Sequence, residues 1–168
     1  MDLGLLLIRL AVGLTLAAHG TQKLFGWFGG HGLAGTGGFM AQLGFHPGRR
    51  AALLAGLGEA SGGLLLALGA ATPLAAAIIV GVMVTAIVSV HLEKGFFNHN
   101  GGYELPLLLA VTSLGVVLTG PGRASVDGRL GHTYAGPAWA LVSLIVGVLG
   151  ATSQLATRHS APAAQPSS

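Results

Sequence analysis

The chain has 168 residues, 52% of them apolar, and only 8% charged, with eight Lys+Arg against five Asp+Glu. Soluble domains carry about 25% charged residues, and so few charges cannot cover a water-facing surface of this size. A mean hydropathy of +0.73 excludes intrinsic disorder equally well. The composition therefore predicts an all-α, polytopic membrane helix bundle in one domain. The cations are scattered, with Arg49-Arg50 the only adjacent pair, so the basic stripe that nucleic acid demands is missing. Cysteine is absent, which excludes disulfides, thiolate metal sites and thiol redox chemistry within this chain.

A membrane helix needs roughly 20 mostly apolar residues. Reading from the amino terminus, spans are predicted at about 3–24, 51–71, 73–92, 103–119 and 137–156. The first does not read as a cleaved signal peptide, because Asp2 stands where a basic region belongs and Arg9 interrupts the apolar run. A long glycine-rich segment, Phe25 to Arg50, follows. Its stretch Phe39 to Phe45 suits a short interfacial helix, and Phe25, Trp27 and Phe28 sit where an aromatic belt is expected. Ala71-Thr72-Pro73 forces a tight hairpin between the second and third spans. Glu93 to Gly102 is a turn-rich loop, and Pro106 falls in the first turn of the fourth span, where proline is tolerated. Residues 158–168 (RHSAPAAQPSS) read as a disordered tail.

The informative residues are the polar ones inside the spans: Arg9, His19 and Lys23 in the first, Glu59 in the second, His91 ending the third and Glu104 opening the fourth. Each ionised group at mid-membrane costs roughly 2.5–3.5 kcal/mol on insertion scales, so such residues are paired or functional. Helix direction makes them converge. Successive spans alternate, so His19, Lys23, His91 and Glu104 share one membrane side, with Glu59 roughly 12 Å deep from that side. Arg9 lies deeper, about 20 Å from it, and is expected to face the bundle and pair with a carboxylate or with helix carbonyls. An ion pair between Glu59 and Lys23 or Arg9 is the plain structural alternative, and a snorkelling Lys23 is another. No tight ligand spacing such as His-x-x-x-His occurs, so no metal is expected. Lys23, Arg49, Arg50, Lys94 and Arg158 against Arg123 and Arg129 predict that the side carrying the cluster is cytoplasmic.

At these same residues the chain resembles the DoxX family of small bacterial membrane proteins. The resemblance is carried by Arg9-Leu10 and His19-Gly20-Thr21-Gln22-Lys23-Leu24-Phe25-Gly26, then by Gly37-Gly38-Phe39 and Leu43-Gly44. It continues through Gly58-Glu59, Gly62-Gly63, Leu68-Gly69 and the Met83 to His91 region. It closes on Gly101-Gly102-Tyr103-Glu104, Gly120-Pro121-Gly122 and Ser125-Val126-Asp127. The motifs cover about residues 4–130, so the fifth span reads as an addition to a four-helix core. The resemblance implies a multi-pass protein of the bacterial inner membrane. One related branch serves as a membrane subunit of a thiosulfate:quinone oxidoreductase, and actinobacterial relatives are linked to oxidative-stress and sulfur redox partners. The family's recurrent polar positions fall here on His19, Lys23, Glu59, His91 and Glu104, with Arg9 and Gln22 in support.

Three functions are compatible with these residues. The first is a membrane subunit of a redox system that handles a quinone or a similar amphipathic molecule, with quinone as a bound ligand and no cofactor held within the chain. A buried His and Lys would donate hydrogen bonds to its carbonyls, and Glu59 or Glu104 would carry protons. The second is a non-enzymatic anchor for soluble antioxidant or sulfur-transfer proteins. The third is a small permease, which five spans without a visible inverted repeat make the weakest. Expected partners are the lipid bilayer, soluble redox proteins and a second copy of the chain.

Overall fold

The computed structural model describes residues 2–132 and 134–159. Among them the long helices are α1 (Asp2–Phe25), α3 (Gly48–Leu68), α4 (Thr72–Ala86), α5 (Glu104–Thr119) and α7 (Pro137–Leu155). Two shorter helices complete the set, α2 (Gly32–Gln42) and the single turn α6 (Val126–Arg129). With its continuation to Lys94, α4 joins α1, α3 and α7 as a helix long and apolar enough to cross a membrane. The fourth predicted span, α5, is apolar but has 16 residues, about 24 Å. Its ends nevertheless lie at opposite ends of the bundle. Glu104 N donates to the Phe96 carbonyl beyond α4, and past its other end Asp127 N donates to the Gly69 carbonyl just before α4.

α1, α3, α4 and α5 pack in a ring, each on the next, with α5 returning to α1. Glycine explains how α1 and α3 approach so closely. A β-carbon on Gly20 would lie 2.6 Å from the Gly56 carbonyl oxygen, and one on Gly63 would lie 2.7 Å from Ala17 N. Small residues permit this where lipid supplies no hydrophobic force between helices. The fifth helix is an integral wall of the molecule. α7 packs on α4 and α5, Gly147 sits against Ala77 and Val80, and Ser143 Oγ donates to the Pro73 carbonyl at 2.9 Å.

Boundaries follow local chemistry. Pro47 caps α3 in extended conformation, which starts the helix three residues before the predicted 51. Gly69 ends it in the left-handed region at φ 61°. The interfacial helix runs over Gly32–Gln42 rather than 39–45. Phe45 leaves it to become a buried core residue, 2% exposed. The predicted tail begins too early. Arg158 and His159 are bound to the α2–α3 loop, through Arg158 Nε to the Leu43 carbonyl at 2.9 Å and His159 N to the Gly44 carbonyl at 2.8 Å. The rest of that tail, 160–168, lies outside the described residues.

The end opposite the polar cluster is closed by Asp127. Its carboxylate accepts from Ala71 N (2.9 Å), Thr72 N (2.8 Å) and Thr72 Oγ1 (2.7 Å), so it caps α4 from the α6 turn. Arg9 lies at this end too. It is fully buried, and Nη2 donates to the Ala124 carbonyl at 2.6 Å. Arg9 thus faces the bundle as expected, but its partner is neither a carboxylate nor a helix carbonyl: it is the loop carbonyl of Ala124. Asp2 is engaged elsewhere, 3.0 Å from Arg123 Nε.

Candidate functional site

Lys23, in the last turn of α1, and Glu59, in mid-α3, face each other because the two helices run antiparallel in close contact. Lys23 Nζ lies 2.6 Å from Glu59 Oε2, with the side chains 27% and 7% exposed. Beside them opens a cavity of about 650 Å³. Its walls are mostly apolar and include Leu16, Phe39, Met40, Phe45, Met83, Leu105 and Leu109. The polar side chains in the lining are His19, Lys23, Thr36, Glu59, Thr85, Ser89, His91, Asn98 and Gln154. The ion pair compensates its own charge, so the walls offer hydrogen-bonding groups with no net fixed charge. A site of this kind, apolar with a few convergent polar groups, is what small-molecule ligands select.

His91 ends the continuation of α4 in a wide π-helical turn, Ile87–His91, a feature that recurs at functional sites, and it lines the cavity together with Gly81, Val82, Thr85, Ala86 and Ser89 of the same helix. Thr85 Oγ1 donates to the Gly81 carbonyl at 2.8 Å and Ser89 Oγ to the Thr85 carbonyl at 2.5 Å. Such back-bonding from Ser and Thr bends helices. His91 Nδ1 lies 2.6 Å from the Gly101 carbonyl oxygen. A carbonyl only accepts, so Nδ1 carries the proton and a neutral ring keeps Nε2 as an acceptor.

Of the predicted site residues, His19, Lys23, Glu59 and His91 come together around the cavity. Glu104, Gln22 and Arg9 do not line it. Glu104 lies on the same side but accepts from Asn98 N at 2.9 Å, ordering the α4–α5 loop. Gln22 Nε2 donates to the Phe28 carbonyl at 3.2 Å and holds the chain leaving α1. Arg9 is in the far end of the bundle, as its depth predicted. Thr36, Thr85, Ser89 and Gln154 do not stand out in the sequence. The Thr85/Ser89 spacing at i, i+4 in an apolar helix is the signal that was there to be read.

The DoxX family model matches residues 4–92, more than half of the chain but short of the 4–130 that the motifs suggested. A protein of Bacillus subtilis (strain 168) named "Putative oxidoreductase CatD" is 30% identical over 126 residues, 75% of this chain and 86% of that one. No solved structure matches the chain. The family match over more than half of the chain and the apolar helices agree, and this polytopic membrane protein belongs to the DoxX family.

Proposed function

We propose that the protein is a membrane subunit of a redox system in the bacterial inner membrane, and that the cavity binds a quinone or a similar neutral amphiphile. The observation that carries this reading is the Lys23–Glu59 pair in the wall of a 650 Å³ apolar cavity that His19 and His91 also line. A quinone is flat, apolar and uncharged, with two carbonyl acceptors. Lys23 and His19 are donors of the right kind, His91 keeps Nε2 as an acceptor, and the self-compensated pair leaves no net charge to reject a neutral ring. Reducing a quinone to its quinol takes up two electrons and two protons. Glu59 and His91 are placed to pass protons, and electrons come from a soluble partner protein that oxidises a sulfur or thiol compound. The name of the Bacillus subtilis relative supports a redox association of this general kind.

The test is equilibrium binding of 2-methyl-1,4-naphthoquinone to the purified protein in detergent, with wild type compared to Glu59→Gln and His91→Ala. Saturable binding in wild type, weakened about tenfold or more in both variants, is the expected result. Absence of saturable binding in wild type would refute the quinone reading and favour the anchor reading, in which the loops contact a soluble partner and the polar cluster is structural.

A further inference from the structure

The cavity does not stop at the ion pair. α3 and α7 both pack on α4 and make almost no contact with each other, so a furrow runs between them with α4 as its floor. Leu54 of α3, Leu74 of α4 and Val146 of α7 belong to the cavity lining, yet they are 48%, 54% and 51% exposed. In a membrane those surfaces face lipid. The floor is narrow-chained: Ala77 and Gly81 on α4 pack against Gly147 on α7, and Gly150 on the same helix belongs to the lining. From Leu74 to Thr85 the furrow extends about 17 Å along α4. Between Gly58 and Thr85 it turns inward toward Glu59. At the end that carries the polar cluster, a smaller hollow of about 290 Å³ continues the same gap beneath Phe45, whose strand-like pairing with Arg158 closes it over.

From this continuity we propose that the furrow between α3 and α7 is a lateral entrance from the bilayer and the seat of the ligand's tail. The occupant is a quinone bearing one isoprenoid chain: the ring lies at Lys23–Glu59 and the chain lies over Ala77 and Gly81. This inference rests on the quinone reading of the cavity and adds route and substrate class to it. The furrow joins a polar pocket at one end only, as a molecule with one polar head requires, and its floor of alanine and glycine leaves room for a branched chain. Because lipid tails are as apolar as the furrow, the chain gains by packing and not by leaving water, so the expected increment in affinity is modest.

Gly150 permits a selective test. A β-carbon there meets nothing within 4 Å, so Gly150→Phe fills the furrow without displacing backbone. Gly115, with equally open surroundings and no part in the cavity, provides the control Gly115→Phe. The probes are 2-methyl-1,4-naphthoquinone with and without a four-isoprene tail, in the same detergent, with micelle partitioning measured separately. In wild type and Gly115→Phe the tail raises affinity about tenfold; in Gly150→Phe that increment disappears while the tail-less ring binds as before. An equal increment in Gly150→Phe overturns the proposal, as does no increment in wild type. A second readout does not depend on quinone affinity. A hexadecanol carrying a terminal diazirine, photolysed in vesicles, labels the 77–86 segment of α4 in wild type and not in Gly150→Phe, and the tailed quinone displaces it. Labelling unaffected by Gly150→Phe, or not displaced by the quinone, overturns the proposal. Failure of both quinones to bind wild type refutes the function proposed above and with it the isoprenoid occupant, whereas binding of both without a tail increment overturns the furrow proposal alone.

Discussion

Removing one partner of the Lys23–Glu59 pair should have unequal consequences, and the inequality can be worked from the geometry. At 2.6 Å the two groups form a charge-assisted hydrogen bond, with Glu59 7% exposed and Lys23 27% exposed. Lys23→Met leaves a carboxylate sealed among apolar helices. Breaking a buried pair in this way costs about 3–5 kcal/mol. Glu59→Gln leaves the cation behind instead, but Lys23 is in the last turn of α1 and its long stem lets the ammonium swing to the interface. That variant should lose about 1–3 kcal/mol, the cost of an imperfectly satisfied polar group. The double variant Lys23→Met/Glu59→Gln strands no charge and should be more stable than Lys23→Met alone. For a chain of this size 1 kcal/mol shifts Tm by about 2–4 °C, so thermal unfolding in detergent resolves the three variants, with Lys23→Met lowest by roughly 6–20 °C against wild type. Additive losses in the double variant, with no coupling between the sites, would refute the pairing argument. Equal losses in the two single variants would refute the argument about their different routes to water. Glu59→Gln should still insert into the membrane and should lower any quinone-linked activity, since Gln keeps the shape and cannot exchange a proton.

Three further outcomes follow from other parts of the molecule. Asp127→Ala removes three hydrogen bonds to the first turn of α4 and should cost about 2–4 kcal/mol in thermal unfolding, while naphthoquinone binding at the far end of the bundle stays unchanged; Asp127→Asn should recover part of the loss. Gly20→Val forces a β-carbon to within 2.6 Å of the Gly56 carbonyl oxygen, so α1 and α3 must separate; the loss should be about 1–3 kcal/mol or more, visible as low yield of folded protein, whereas Gly115→Ala should be close to neutral. Reporter domains inserted after Asn98 and after Gly131 should register cytoplasmic and external locations respectively, as the positive-inside rule requires, and the reverse pattern would put the polar cluster on the external side.

Membrane class, the helices and the place of the polar cluster could all be read from the sequence. Each depends on local quantities: charge fraction, the length of an apolar run, and the alternation of helix direction at short connections. Those quantities put Lys23 and Glu59 toward one side of the membrane, Lys23 at its edge and Glu59 roughly 12 Å in. Burial cost alone sent Arg9 inward. What the sequence could not decide was which neighbour each polar group reaches. Glu104 and His91 stand at the same end, yet Glu104 bonds a backbone amide in its own loop and His91 turns into the cavity. His91 belongs to a π turn at 87–91, and a turn of that kind leaves no mark in the apolar pattern. The role of α7 was equally hidden, because an apolar helix carries no mark of the face it packs on. Its wall of Gly147 and Gly150 and its tie from Arg158 to the α2–α3 loop join residues far apart in the chain. Only the packed bundle, with all helix axes fixed at once, determines that the ion pair has a cavity beside it and that this cavity opens toward lipid.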